Sequence, residues 1–283
     1  MKFTCFSFLF LPLLAAVSPS CDSWDNPPPA RDPLCFEEVM SRGLEGCMGY
    51  YDIPGCSWAV LRADSLAHSG SEGRIHSGSD IRIDPTGHFQ IGSLGKSYTA
   101  FLAARCVEEG LLTWETRLFD VLPGWREEAN RAYDSLRLMD LLSHNTPLPP
   151  LNVMVTHLNR KTGKPVYENL PAFEGTDLER RHAFCRYALS LEPVETSGLN
   201  YGNAGYSLAA AMLEQVTGRS WEELAGELAG DLGIEIGQER PNKTDPTQPW
   251  GHRRRDDGTL EPVGPADARF FTDPISSPRG TST

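Results

Sequence analysis

The sequence predicts a mixed α/β chain of the α+β type, with a strand-rich opening followed by a helical body. Three observations carry this reading. Short runs of strand character occupy residues 57–91. Two apolar helical stretches close on a glycine, one at Gly110 and one at Gly218. Between about 111 and 240 the chain reads as helices joined by loops.

The elements follow in order. Pro33 to about Gly46 reads as a first helix. Ser57-Trp-Ala-Val-Leu-Arg62 is a strand, and Leu66 to Ile75 returns as its hairpin partner. Asp80-Ile-Arg-Ile-Asp84 alternates at period two, the pattern of a short strand. His88-Phe-Gln-Ile91 leads through Gly92 into a helix that opens at Ser93 and runs to Val107-Glu-Glu-Gly110. Leu136 to Leu142 is a helix ending in Ser143-His144-Asn-Thr-Pro147. Ala204 to Thr217 is an amphipathic helix, and Ser220-Trp-Glu-Glu223 is a capping box that opens the next one.

Composition narrows the function. Apolar residues make up 40% and charged residues 23%, ordinary values for a globular protein. With 38 acidic against 26 basic residues, the net charge of −12 argues against nucleic acid and against an anionic membrane surface. The basic run His252-Arg-Arg-Arg255 is answered at once by Asp256-Asp257 and reads as a solvated turn. Residues 1–20 read as a secretory signal: Lys2, then an almost wholly apolar run from Phe3 to Val17, then small residues. The expected location is secreted or periplasmic. A cut before Cys21 would make the chain a lipoprotein, its only route to a membrane, although Ser18-Pro19-Ser20 is a poor lipobox. Residues 21–32, with Pro27-Pro-Pro29, read as a disordered tether, and 33–283 as the folded domain.

Of seven cysteines, Cys5 would leave with the signal. Cys35, Cys47 and Cys56 lie close enough for a local disulfide, while Cys106 and Cys185 read as small buried residues. His144, His157 and His182 are scattered, and no spacing suggests a metal site; no cofactor is expected. Asn242-Lys-Thr244 is a glycosylation sequon, meaningful only in a eukaryotic source.

The chemistry lies in Ser93-Leu94-Gly95-Lys96. On a helix, residues i and i+3 share a face, so the Lys96 amine lies beside the Ser93 hydroxyl. A serine hydroxyl is a weak nucleophile and needs an adjacent base. An amine at a helix N-terminus, partly buried, is disfavoured as a cation and can serve. The second constellation is Asn200-Tyr201-Gly202-Asn203, at the start of the Ala204 helix. A phenol near an ammonium ionises more easily, so Tyr201 could take the serine proton and return it to the leaving group. Asn203 can hold a substrate carbonyl and the Lys96 side chain.

Gly92-Ser-Leu-Gly-Lys through Glu109-Gly-Leu-Leu112 resembles the nucleophile helix of the β-lactamase-related serine hydrolases. That family includes class C β-lactamases, DD-peptidases and family VIII esterases. Tyr201-Gly-Asn203 before Gly-Tyr-Ser-Leu resembles the family's second catalytic signature. Leu141-Leu-Ser-His144-Asn-Thr-Pro147 resembles its Leu-Leu-x-His-Thr-Ser-Gly segment, departing at Asn145 and Pro147. The resemblance implies a β-lactamase/transpeptidase-like fold, an antiparallel sheet flanked by helices plus a helical region. It implies Ser93 as nucleophile, Lys96 and Tyr201 as the proton-transfer pair and Asn203 in substrate binding. His144 is expected to brace a loop. The substrate class is a small-molecule or peptide ester or amide.

The family's third motif, Lys-Thr-Gly or His-x-Gly near the C-terminus, supplies one of two oxyanion donors. Lys161-Thr162-Gly163 matches its letters but precedes Tyr201, a coincidence. Thr247 to His252 and Pro274 to Gly280 resemble the segment leading to the family's Pro-Ala-Gly-Gly turn. The expectation is therefore a domain without its C-terminal strands, which folds poorly alone or turns over little substrate. The alternative is a non-catalytic, truncated or binding member of the same fold.

Overall fold

The computed structural model describes residues 35–151, 171, 173–237, 239–266 and 281–282. The signal and tether, His157, Lys161-Thr162-Gly163 and Pro274 to Gly280 lie outside the described residues.

The chain opens on α1 (Phe36–Tyr51), β1 (Gly55–Arg62) and β2 (Ser65–Gly73). Helix α1 runs past Gly46, whose missing side chain faces open space, and stops at Asp52 in the left-handed region, φ 53°. Pro54 follows and disfavours further helix. Strands β1 and β2 form the expected antiparallel hairpin, Gly55 opposite Gly73 and Arg62 opposite Ser65, with a register shift between Val60 and Leu61. Asp80 to Asp84 departs from expectation. It makes only a single bridge, Arg82 with Arg74, and backbone bonds from Ile75 N–H to Ile81 C=O and from Ile83 N–H to Gly73 C=O. Its alternation reflects inward Ile83 and outward Ile81 without a full ladder.

Strand β3 (Phe89–Gln90) pairs with a strand at Thr281–Ser282, and a 3₁₀ turn at Gly92–Gly95 leads into α2 (Lys96–Glu108). Three short or medium helices follow: α3 (Leu118–Val121), α4 (Leu138–Leu142) and α5 (Asp177–Ser190). Then come α6 (Asn203–Thr217), α7 (Trp221–Leu232), α8 (Pro241–Thr244) and the hairpin β4 (Gly251–Arg254) with β5 (Leu260–Val263). The strand at Thr281–Ser282 is β6. The basic run His252 to Arg255 is thus largely strand, not turn. Arg253 and Arg255 pair with Glu261, and Arg254 with Asp52. Glu261 across the hairpin and Asp52 at the end of α1 thus engage all three arginines.

The core lies around α6. The sequence predicts an amphipathic helix here, but α6 is buried on every face from Ala204 to Glu214, polar Ser207 and Glu214 included, because helices pack around it; Leu208 to Leu213 are fully covered. Helices α2, α4, α5 and α7 surround it. Alanines at 209–211 let the neighbours approach, and Gly205 lets α4 closer still: a Cβ there would lie 2.9 Å from the Leu141 carbonyl oxygen. The helix ends as the sequence predicts, on left-handed Gly218. Helix α7 opens on the expected capping box, Ser220 and Glu223 each bonding the other's backbone N–H.

One charged cluster is sunk into this core. Arg181 on α5 donates to Glu214 on α6 (Nε to Oε1, 3.1 Å) and to Glu222 on α7 (Nη1 to Oε1, 2.9 Å). His182 Nε2 and the Trp221 N–H also reach the Glu214 carboxylate, each at 2.9 Å. Burial alone would raise the Glu214 carboxyl. His182, Arg181 and the Trp221 N–H together outweigh it and hold Glu214 below the usual range.

Two smaller expectations change. The five described cysteines are all free thiols, and Cys56 Sγ turns to Met48 Sδ at 3.6 Å rather than to Cys35 or Cys47. Cys106 and Cys185 are buried as expected. Asn242 of the sequon is buried, its Nδ2 donating to the Val263 carbonyl, so it is a structural residue of the fold. Among the described residues, no helix is long and apolar enough to cross a membrane.

Candidate active site

Ser93 is not on the α-helix but in the 3₁₀ turn before it, and Lys96 is the first residue of α2. In a 3₁₀ turn, residues i and i+3 nearly eclipse, which brings them closer than an α-turn does. Lys96 Nζ donates to Ser93 Oγ at 3.3 Å. Gly92 permits the entry: its φ of 52° is left-handed, a conformation that costs other residues about 1–2 kcal/mol. Ser93 is exposed, whereas Lys96 is only 5% exposed.

The second half arrives from 107 residues away: Lys96 Nζ also donates to Asn203 Oδ1, at 2.9 Å. Asn203 is the first residue of α6, so the same helix that anchors the core aims this amide. Tyr201 presents its ring to Lys96, with Nζ 5.1 Å from the centroid, and is 42% exposed. All four sequence-predicted site residues, Ser93, Lys96, Tyr201 and Asn203, are therefore brought together, with Lys96 at the centre.

Residues 144–151 hold the Tyr201 segment, and most of that support was illegible in sequence. Asn200 Nδ2 donates to the carbonyls of Thr146 (2.9 Å) and Leu148 (2.7 Å), and its N–H to the His144 carbonyl. The Asn203 N–H donates to the Pro150 carbonyl at 2.8 Å. This close approach explains Gly202, where a Cβ would lie 2.7 Å from that same oxygen. His144 sits at φ 57° and its Nδ1 accepts from the Gly202 N–H at 3.4 Å. Its ring lies 4.4 Å from that of Tyr201 and 5.1 Å from that of Tyr206. Burial first, and Lys96 second, push the imidazole below its ordinary value, so it is neutral at neutral pH. It braces a loop, as expected. Tyr206 was missed, although it falls three residues after Asn203 on one helix face.

A buried lysine set between a serine and a Tyr-x-Asn segment, where a helical body meets small antiparallel sheets, defines the β-lactamase/transpeptidase-like class of fold. The Beta-lactamase family model matches residues 40–279, and the chain belongs to that family. It is 26% identical to Penicillin-binding protein 4 of Amycolatopsis lactamdurans over 185 residues, 65% of this chain and 44% of the relative. It is similar in fold to the octameric penicillin-binding protein homologue of Pyrococcus abyssi (TM-score 0.66, 20% identity, 88% of this chain and 54% of that one). The class C β-lactamase of Rhodobacter sphaeroides superposes with a TM-score of 0.62 at 21% identity, over 87% of this chain and 62% of that one. The chain thus spans about half the length of the relatives it matches.

Proposed function

We propose that this chain carries the nucleophile and proton-transfer groups of a serine hydrolase that acts on an ester or amide through an acyl-enzyme. The observation that supports it best is the position of Lys96 Nζ, within hydrogen-bond reach of both Ser93 Oγ and Asn203 Oδ1. In this reading Ser93 Oγ attacks the substrate carbonyl carbon. Its proton passes to the Lys96–Tyr201 pair, which returns it to the departing alcohol or amine. Water then cleaves the acyl-serine by the same route in reverse. Asn203 Oδ1 orients Lys96, and its amide NH2 is the donor for a substrate carbonyl in this reading. The relatives' names make a fluorescent penicillin the natural first probe, with a fluorophosphonate beside it. Covalent label should appear on Ser93 and vanish in Ser93→Ala; equal labelling of the variant would overturn the assignment.

The same reading takes residues 1–20 as an export signal and the mature protein as secreted or periplasmic, with a lipid anchor only if cleavage precedes Cys21. N-terminal sequencing and mass of the exported protein test this. A second reading, a non-catalytic binding member of the fold, is supported by the exposed apolar side chains of Tyr50 on α1, Leu61 on β1 and Leu66 on β2. Absence of label on a chain with a cooperative melt would favour it.

A further inference from the structure

We propose that Tyr206 is a positioning residue of this site: with Tyr201 it forms an open aromatic cage that holds the Lys96 ammonium against Ser93 and Asn203. The inference rests on the reading of Lys96 as the group that serves Ser93. Lys96 Nζ lies 5.1 Å from the Tyr201 ring centroid and 5.6 Å from that of Tyr206. Both fall within the distance, about 6 Å, at which a cation is drawn to a ring face. The attraction grows as water is excluded, and Lys96 and Tyr206 are both buried.

Tyr206 is fixed on both sides. Its backbone is in α6, one turn after Asn203, so one helix delivers an amide oxygen and a ring to the same amine. Its hydroxyl donates to the Leu142 carbonyl at 2.9 Å, at the C-terminal end of α4. The ring plane is thereby set before any substrate arrives. His144 packs on both tyrosines and, being neutral, brings no second cation to the cage. Burial, and then Tyr201, push the Tyr206 phenol above its ordinary value, so Tyr206 stays protonated and offers a ring face and no base. Among the described residues, the polar groups that face the amine include Ser93 and Asn203, with the two phenols and the His144 imidazole around them.

The test compares Tyr206→Phe with Tyr206→Leu in the full chain, by two measurements. The first is the NMR shift of the Lys96 ε-methylene in protein labelled at lysine, which senses a ring face whether or not the protein turns over substrate. Tyr206→Phe should keep the wild-type position, and Tyr206→Leu should move it toward that of an exposed lysine. The second is the rate of Ser93 labelling, which should fall in Tyr206→Leu and stay at the wild-type value in Tyr206→Phe. If Tyr206→Leu fails to fold, Phe and 3,4,5-trifluorophenylalanine at position 206 make the same comparison at nearly constant shape, since fluorination removes the negative ring face. A Lys96 signal unchanged between those two residues would overturn the cage. Absence of Ser93 labelling in wild-type protein would instead sink the hydrolase reading, and the NMR comparison would still decide the cage.

Discussion

The helical body around α6 and the layer formed by α1, β1 and β2 are built from the same kinds of residue and differ in what covers them. Leu208 to Leu213 on α6 are fully buried by surrounding helices. Helix α1 has no buried residue, and Leu61 on β1 is 73% exposed. In that layer and the strands beside it, burial is confined to single side chains such as Ile75, Ile83 and Val263. A helix closes its own backbone bonds and needs only a few neighbours to cover it. A two-stranded sheet leaves two open edges and two faces, and each described sheet has two strands. Hydrophobic pattern alone therefore does not make a core; the number of layers does. The candidate site draws on the covered side, because Lys96 and Asn203 both open helices of the body.

That contrast can be broken in several ways, beginning with the largest effect. Lys96→Arg keeps the charge and loses the compact amine that reaches Ser93 and Asn203. Ser93 labelling should slow by about 10²–10⁴-fold, with a smaller change in melting. A wild-type rate would detach the chemistry from the covered half. Glu214→Ala comes next, since it leaves Arg181 buried beside a missing partner, at a cost of about 3–5 kcal/mol in urea unfolding. Acid should act in the same direction on the wild-type protein. The Glu214 carboxyl is held below its usual value, so the unfolded chain binds the proton more tightly. Its contribution is then complete above the unfolded value, near pH ~4.3, and is lost as pH falls through the folded value. Glu214→Gln should flatten that part of the stability-against-pH curve; an unchanged slope would assign it to other carboxylates.

Smaller effects sharpen the comparison. Leu213→Ala should cost about 2–5 kcal/mol, whereas Leu61→Ala should stay within about 0.5 kcal/mol. Equal losses would mean that the strand layer is as well covered as α6. Gly92→Ala should cost about 1–2 kcal/mol through its left-handed backbone, and should also displace Ser93. In hydrogen exchange, α6 amides should open only with global unfolding, and β1–β2 amides well before it. Protection of the hairpin equal to that of α6 would erase the distinction.

The hairpin, the Ser93 to Lys96 segment, the α6 helix and the α7 cap were legible because each is written within a turn or two. Ser220 and Glu223 meet across three residues, and Gly218 stops α6 whatever surrounds it. The Asp80 to Asp84 run misled because period-two alternation describes a strand that finds a partner over its whole length, and this one bridges at a single residue. The cysteine expectation failed for a similar reason: closeness in sequence did not turn Cys47 or Cys35 toward Cys56.

The sequence by itself determined the fold class, the opening hairpin, the main helices and the four candidate residues that the structure brings together, because helix caps, apolar periodicity and a serine with a lysine three residues on are local statements. Only the tertiary structure decided that Lys96 meets Asn203 across 107 positions. The same holds for the close approach of the Pro150 backbone that requires glycine at 202, and for the place of Tyr206 behind the amine. Those contacts depend on how α4 and α6 pack and on a loop with left-handed His144 and Leu151 at its ends. The physical reason is that a side chain's own propensity says nothing about which distant backbone will lie against it. That is decided by burial of the whole α6 surface at once.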